Sequence, residues 1–312
     1  MQPARIHLAH VLCPTDFSAF SARALRHAMA LARRFEAQLT VLHVIPEPLA
    51  YGAVLPHAGA SGMPATDALR KQVHEELARF VEPALLDRVR VSREVREGAA
   101  WREIREVARS LPADLVVMGT HGRGGFERFV LGSVTEQLMR TLECPVLTVC
   151  HEEGRSWAAP GLLSRILCAT DLSESSEATV AFASSLAAES QAHVTFLHAV
   201  EELPEARDHM ETLPRRLHEA VGEEARAWCE VEERIEVGRA DRKILERSAQ
   251  DRADLIVIGD GGGGGLLRAL FGSTAQRVVR EATCPVLSVR RGAGPRQKEA
   301  TGLAVAGEVP PR

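Results

Sequence analysis

The chain is poor in lysine. Lys71, Lys243 and Lys298 are its only three, and the formal net charge is −4. A nucleic-acid partner needs a concentrated basic face, so a phosphodiester backbone is not expected as the main ligand. Arginine is plentiful but interleaved with glutamate, as in Arg102-Glu103-Ile104-Arg105-Glu106. Such runs read as solvated helix faces with i,i+4 pairs. Long apolar runs are missing too. Stretches such as Leu115–Met118 and Leu255–Ile258 are far too short to cross a bilayer, so no membrane partner is expected. The opening Met1–Ile6 has no apolar h-region, so no signal peptide and a cytoplasmic location are expected. Aromatics make up only 4% of residues, so the core must be aliphatic. The six cysteines include no CxxC and no Cys/His metal spacing. Buried, reduced thiols are the expected state, with no metal site. No GxxxxGK[ST], GxSxG or HExxH occurs either.

What is present is present twice. Gly119-Thr120-His121-Gly122, nine residues, then Gly132-Ser133 returns as Gly259-Asp260-Gly261-Gly262, nine residues, then Gly272-Ser273. Cys144-Pro145-Val146-Leu147 returns as Cys284-Pro285-Val286-Leu287. Val11-Leu12-Cys13-Pro14-Thr15-Asp16-Phe17-Ser18 returns as Ile166-Leu167-Cys168-Ala169-Thr170-Asp171-Leu172-Ser173. Residues 11–44 match 166–199 and 98–149 match 238–289, each without a gap. The chain is therefore two copies of one domain, expected over 1–151 and 163–291. Its 312 residues suit that count. Residues 46–64, rich in Pro, Gly and Ser, read as a loop, and 151–162 as the linker. Residues 292–312 lose all periodicity and read as a disordered tail.

Within repeat 1, apolar strands are expected at His7–Cys13, Gln38–Ile45, Val89–Val95, Asp114–Met118 and Val146–Val149. Helices are expected at Ser18–Phe35, Thr66–Leu86, Ala100–Ser110 and Ser133–Thr141, with Gly98 at the turn before the third. Alternating helices and continuously apolar strands mean an α/β fold, a parallel sheet covered on both faces. The two terminal strands, Val146–Val149 and Val286–Val289, would be exposed apolar edges unless they paired, which predicts an intramolecular pseudo-dimer.

Ligands of open parallel sheets bind beyond the carboxyl ends of the strands, where the strand order reverses. The repeated motifs fall at such ends. Gly119 and Gly122 let the backbone approach a ligand and permit positive φ. Gly132 and Ser133 open a helix whose first N–H groups suit phosphate, and Arg123 can add charge. Asp16 could accept hydrogen bonds from ribose or adenine. Read singly, each residue has a plainer role: Asp16 or Ser18 as a helix cap, Ser133 as another, His43 and His198 packed at strand ends.

The pattern G-x2-G-x9-G-S followed by Cys-Pro-Val-Leu, with an opening strand ending Pro-Thr-Asp-Phe-Ser, resembles the universal stress protein family, as a tandem member. The resemblance implies two repeats of a five-stranded parallel sheet of order 3-2-1-4-5 with helices on both faces, similar to adenine-nucleotide alpha-hydrolases. It implies ATP at the reversal of strand order in the members that carry this glycine motif; Mg²⁺ is expected with it, held mainly by phosphate oxygens and water. Adenosine would meet Pro14, Thr15, Asp16, Val44 and Met118; phosphates would meet Gly119, Gly122, Gly132, Ser133 and Val134. In repeat 2 the matching residues are Ala169, Thr170, Asp171, Ala199, Ile258, Gly259, Gly262, Gly272, Ser273 and Thr274. There Arg123 gives way to Gly263 and Thr120 to Asp260, so a weaker second site is expected. The chain offers a phosphate cradle and no nucleophile–base–orienter trio. The leading expectation is thus a nucleotide-binding regulatory or protective protein of the stress response. A slow ATPase or nucleotide-dependent transferase is one alternative, and a scaffold that binds no nucleotide is the other.

Overall fold

The computed structural model describes residues 7–46, 65–86, 89–120, 131–149, 163–173, 176–201, 211–259 and 272–290. The expected loop after residue 46, the interdomain linker and the tail therefore lie outside the described residues. Repeat 1 runs β1 (His10–Thr15), α1 (Ala19–Phe35), β2 (Gln38–Ile45), α2 (Ala65–Leu86), β3 (Val91–Glu97), α3 (Ala100–Ser110), β4 (Leu115–Gly119), α4 (Ser133–Thr141) and β5 (Val146–Val149). Repeat 2 runs β6 (Arg165–Ala169), α5 (Glu177–Ser190), β7 (His193–Val200), α6 (Leu213–Trp228), β8 (Glu230–Val237), α7 (Ala240–Gln250), β9 (Leu255–Gly259), α8 (Ser273–Glu281) and β10 (Val286–Val289).

All ten strands form one sheet of order β3-β2-β1-β4-β5-β10-β9-β6-β7-β8. Each half has the order 3-2-1-4-5, parallel throughout. The halves join where β5 and β10 pair antiparallel, Leu147 opposite Leu287. The two apolar edges thereby cover each other. Thr148 Oγ1 donates across this seam to the Val286 carbonyl (3.1 Å). Beside the seam, Gln276 Nε2 in α8 donates to Glu136 Oε1 in α4 (3.2 Å). Arg290 donates to the Leu142 and Arg140 carbonyls at the end of α4 (2.7 and 3.0 Å). A cation there also complements the helix dipole.

Side chains alternate along the inner strands between two apolar layers. Val11 and Cys13 of β1 face Leu25, Ala28, Leu77 and Val81 of α1 and α2. Leu12 faces the other way, toward Ile104, Val107 and Leu138 of α3 and α4. Repeat 2 builds the same layers with Phe182, Ala183 and Leu217 on one side and Ile244 and Val278 on the other.

Several strand boundaries differ from expectation, and β4 lies one residue later at both ends. β1 and β3 begin later and run further than the apolar pattern suggests. β1 extends through Pro14 and Thr15 because both pair in register with Leu42 and His43 of β2. At its start, Asp114 Oδ2 accepts the N–H groups of Ala9 and His10 (2.7 and 2.9 Å). The matching Asp254 Oδ2 accepts those of Ser164 and Arg165 (2.8 and 3.0 Å). A carboxylate thus satisfies the N–H groups at the start of the sheet's inner strands.

Candidate functional site

The carboxyl end of β1 is held in an unusual turn. Phe17 has φ 64°, and its repeat-2 counterpart Leu172 has φ 59°. Bulky residues rarely adopt the left-handed region, so surrounding contacts must hold them there. Thr15 Oγ1 accepts from Phe17 N (2.9 Å) and donates to Ser21 Oγ (3.0 Å), which donates to the Ser18 carbonyl (3.0 Å). Thr170, Leu172, Ser176 and Ser173 repeat this chain of bonds at 3.1, 2.9 and 2.8 Å. Phe17 also stacks on His43 with centroids 4.4 Å apart and meets Phe80 edge-on.

His43 Nδ1 lies 2.8 Å from the Thr15 carbonyl, and His198 Nδ1 lies 2.9 Å from that of Thr170. A carbonyl only accepts, so Nδ1 carries the proton in both rings. The two histidines therefore fix the strand ends rather than merely pack against them. Ser21 and Ser176 escaped the sequence reading. Their signal is the repeated Ser18-x-x-Ser21 and Ser173-x-x-Ser176 spacing.

Of the two residues expected to cap the helix, Ser18 does so and Asp16 instead holds the turn before it. Ser18 is the N-cap of α1, and its side chain accepts from Ser21 N (3.2 Å). Asp16 Oδ1 accepts from Ser18 N (3.0 Å), and Asp171 Oδ1 from Ser173 N (3.0 Å). In both aspartates the bond to the turn uses Oδ1, which orients the carboxylate at the strand end.

At the helix entrance the N-cap is Gly132, not Ser133. Its repeat-2 counterpart Gly272 is likewise the N-cap of α8. Neither helix has a side-chain cap bond, so no cap side chain occupies the first-turn N–H groups. Gly132 has φ −59°, and Gly119 is not among the positive-φ glycines of the described residues. The expectation of left-handed freedom at Gly119 is thus corrected. Gly119 ends β4 in register with Val149, and its carbonyl accepts from Thr135 Oγ1 (3.1 Å). Close approach explains the equivalent Gly259, where a Cβ would lie 3.2 Å from Thr179 Oγ1.

In repeat 2 these parts surround a cavity of about 230 Å³ at the reversal of strand order. Ala169, Thr170 and Asp171 line it from the end of β6, and Ala199 from β7. Ile258 and Gly259 line it from β9, and Gly272, Ser273 and Thr274 from the start of α8. Nine of the ten residues expected in this repeat therefore meet in one place. The tenth, Gly262, lies outside the described residues, as do Gly122 and Arg123 of repeat 1. The cavity adds residues the sequence did not single out: Ser176, Leu197 and Ala275, and Ala240 and Ile244 at the start of α7. Repeat 1 places its expected residues at the same stations: Pro14, Thr15 and Asp16 at the end of β1, Val44 in β2, and Met118 and Gly119 closing β4. Gly132, Ser133 and Val134 open α4. Among the described residues no cluster of His, Cys, Asp or Glu is placed to hold a metal ion. No helix among them is long and apolar enough to cross a membrane.

Comparison with known proteins agrees with this architecture. A family model described as the universal stress protein family matches residues 8–149 and again 163–290. A universal stress protein of Mycolicibacterium smegmatis is 28% identical over 291 residues, covering 90% of this chain and 96% of that protein. One from Methanocaldococcus jannaschii is 35% identical over 139 residues, covering 45% of this chain and 80% of that protein. The crystal structure of a universal stress protein from Archaeoglobus fulgidus superposes with a TM-score of 0.67 at 24% identity, covering 91% of this chain and 98% of that one. With both repeats matched end to end, the chain belongs to the universal stress protein family.

Proposed function

We propose that the chain is an ATP-binding regulatory protein, with an adenine nucleotide seated at the reversal of strand order in each repeat. The observation that carries this reading is the convergence of two distant motifs on one cavity. Thr170-Asp171 and Gly272-Ser273 are about a hundred residues apart in sequence and line the same 230 Å³ space. The apolar walls, Ala169, Ala199, Ile244 and Ile258, suit a purine. Asp171, oriented by its turn, suits ribose hydroxyls. The start of α8 suits phosphate through its N–H groups and dipole. Mg²⁺ would ride on phosphate oxygens and water, its common arrangement. Repeat 1 presents the same elements with Asp16, Gly132 and Ser133.

Titration calorimetry with ATP and Mg²⁺ tests this. Binding is expected in the parent chain, weakened by Gly132→Val or Gly272→Val and abolished in the double variant. Because Gly132 has an ordinary φ, valine acts there by bulk alone. Undiminished binding in the double variant would overturn the site. The output in this reading is a bound state rather than turnover, since the sequence offers no nucleophile–base–orienter trio. Phosphate release at about 1 s⁻¹ or faster, the lower range of working enzymes, would make the chain an enzyme instead.

A further inference from the structure

Beside the second cavity lies an ion cluster that repeat 1 does not have. Asp241, in the first turn of α7, is only 6% exposed. Arg239 grips its carboxylate with both Nε and Nη2 (3.2 and 3.0 Å). Arg277, from α8, reaches its Oδ2 with Nη1 (2.5 Å). The neighbours of these residues wall the cavity: Ala240 and Ile244 on α7, and Ser273, Thr274 and Ala275 on α8. At the matching positions repeat 1 has Ala99, Trp101 and Gln137. There Arg102 and Arg105 lie over the Trp101 ring instead, at 5.2 and 5.4 Å.

We propose that Asp241 is a positioning residue for the second nucleotide site, clasping α7 to α8 through Arg239 and Arg277 and so fixing the cavity between them. This rests on the nucleotide reading of that cavity. A buried carboxylate with two guanidinium partners has a narrow preferred geometry. Removing an arginine leaves the buried Asp241 charge with one partner fewer, and Asp241→Asn removes the charge that draws Arg239 and Arg277 together, so either change loosens the hold between the helices. The first turn of α8 carries the phosphate-facing N–H groups, and a small displacement there misaligns them. In repeat 1 the matching Trp101 packs against the apolar layer beneath Arg102 and Arg105, and no carboxylate stands at that position. The two sites of one chain therefore respond differently to the same perturbation.

The test uses the full chain carrying Gly132→Val, so that titration reads the second site, with ATP–Mg²⁺ and adenosine as probes. Asp241→Asn is expected to weaken both by about fivefold or more, the low end of coupling between linked groups. Arg277→Gln, the amide that repeat 1 carries at Gln137, gives a smaller loss in the same direction. Arg277 is half exposed, so this variant keeps the test open should Asp241→Asn fail to fold. Adenosine is uncharged, so any fall in its affinity with salt reports the protein's own ion pairs. That fall is expected in the parent and absent in Asp241→Asn. A merely structural Asp241 would lower the unfolding temperature and leave the dissociation constants and their salt response unmoved. In a chain carrying Gly272→Val instead, Asp241→Asn leaves the first site unchanged. Equal second-site constants in the parent, Asp241→Asn and Arg277→Gln would overturn the clasp while leaving the nucleotide reading intact. Failure of both Gly132→Val and the unmodified chain to bind either probe would overturn that reading and the clasp with it.

Discussion

Asp114 and Asp254 give the sharpest test of how the sheet is held. Each is 9% exposed, and one oxygen of each accepts two backbone N–H groups at the start of an inner strand, at 2.7–3.0 Å. Asp114→Ala removes the acceptor and leaves two part-buried donors. Hydrogen bonds to a charged group are worth about 1.5–3 kcal/mol each, and water reaching the strand start recovers some of that. The net expected loss is about 3 kcal/mol. Asp114→Asn is milder. Its amide oxygen can still take both N–H groups, because a single carboxylate oxygen does so now. Only the charge assistance goes, about 1 kcal/mol. A 3 kcal/mol loss lowers the unfolding temperature by about 6–12 °C in a domain of this size. Urea unfolding of Asp114→Ala, Asp114→Asn and the matching Asp254 variants measures these differences. The two carboxylates share no partner, so their costs should add. If alanine and asparagine cost the same, or alanine costs under about 1 kcal/mol, the two-donor bond is not what holds the strand start.

The repeat made the fold legible. β2, α3, α4 and β5 fall where the periodicity places them, because each is a buried element with one clean pattern. β1 and β3 shifted because strand ends are set by partners: Pro14 and Thr15 look like a turn in isolation but pair with β2. The site was legible in its motifs and illegible in its supports. Thr170-Asp171 and Gly272-Ser273 announce themselves by recurring. Ala240 and Ile244 do not, since nothing local says that the start of α7 walls the cavity. Asp241, Arg239 and Arg277 read as surface charge, and only the packing of α7 beside α8 makes one of them buried. Ser133 read as a cap because serine favours that position, whereas the backbone gives it to Gly132. The exchange of Arg123 for Gly263 remains a sequence argument, since both lie outside the described residues.

Three further expectations follow from particular residues. Thr179 is fully buried, and its hydroxyl has no hydrogen-bond partner among the described residues. Thr179→Val should therefore stabilise the chain by about 1 kcal/mol in urea unfolding, and destabilisation of that size would show that the hydroxyl has a partner in solution. Burial pushes the Cys13 thiol up to about 12 and raises that of Cys168. An unfolded thiol ionises near 8.5, so this contribution to stability is complete below about pH 8.5 and is lost as pH rises toward 12. Native protein at pH 8 should leave both thiols unlabelled by a maleimide while the half-buried Cys229 reacts; fast labelling of Cys13 would refute its burial. The last expectation is that the first nucleotide site is the stronger. Both repeats keep Thr-Asp and Gly-Ser, so both keep the frame. Repeat 2 loses the charge-assisted bonds open to Arg123, worth about 1.5–3 kcal/mol each when well formed. It gains Asp260, whose charge opposes phosphate, and its run Gly261–Gly265 loses more backbone freedom on ordering. All three changes act in one direction, and a tenfold gap in affinity needs only about 1.4 kcal/mol. With ATP–Mg²⁺ as titrant, Gly132→Val should remove the tighter class of sites and Gly272→Val should spare it; the opposite result would mean that the loop charges do not set the order.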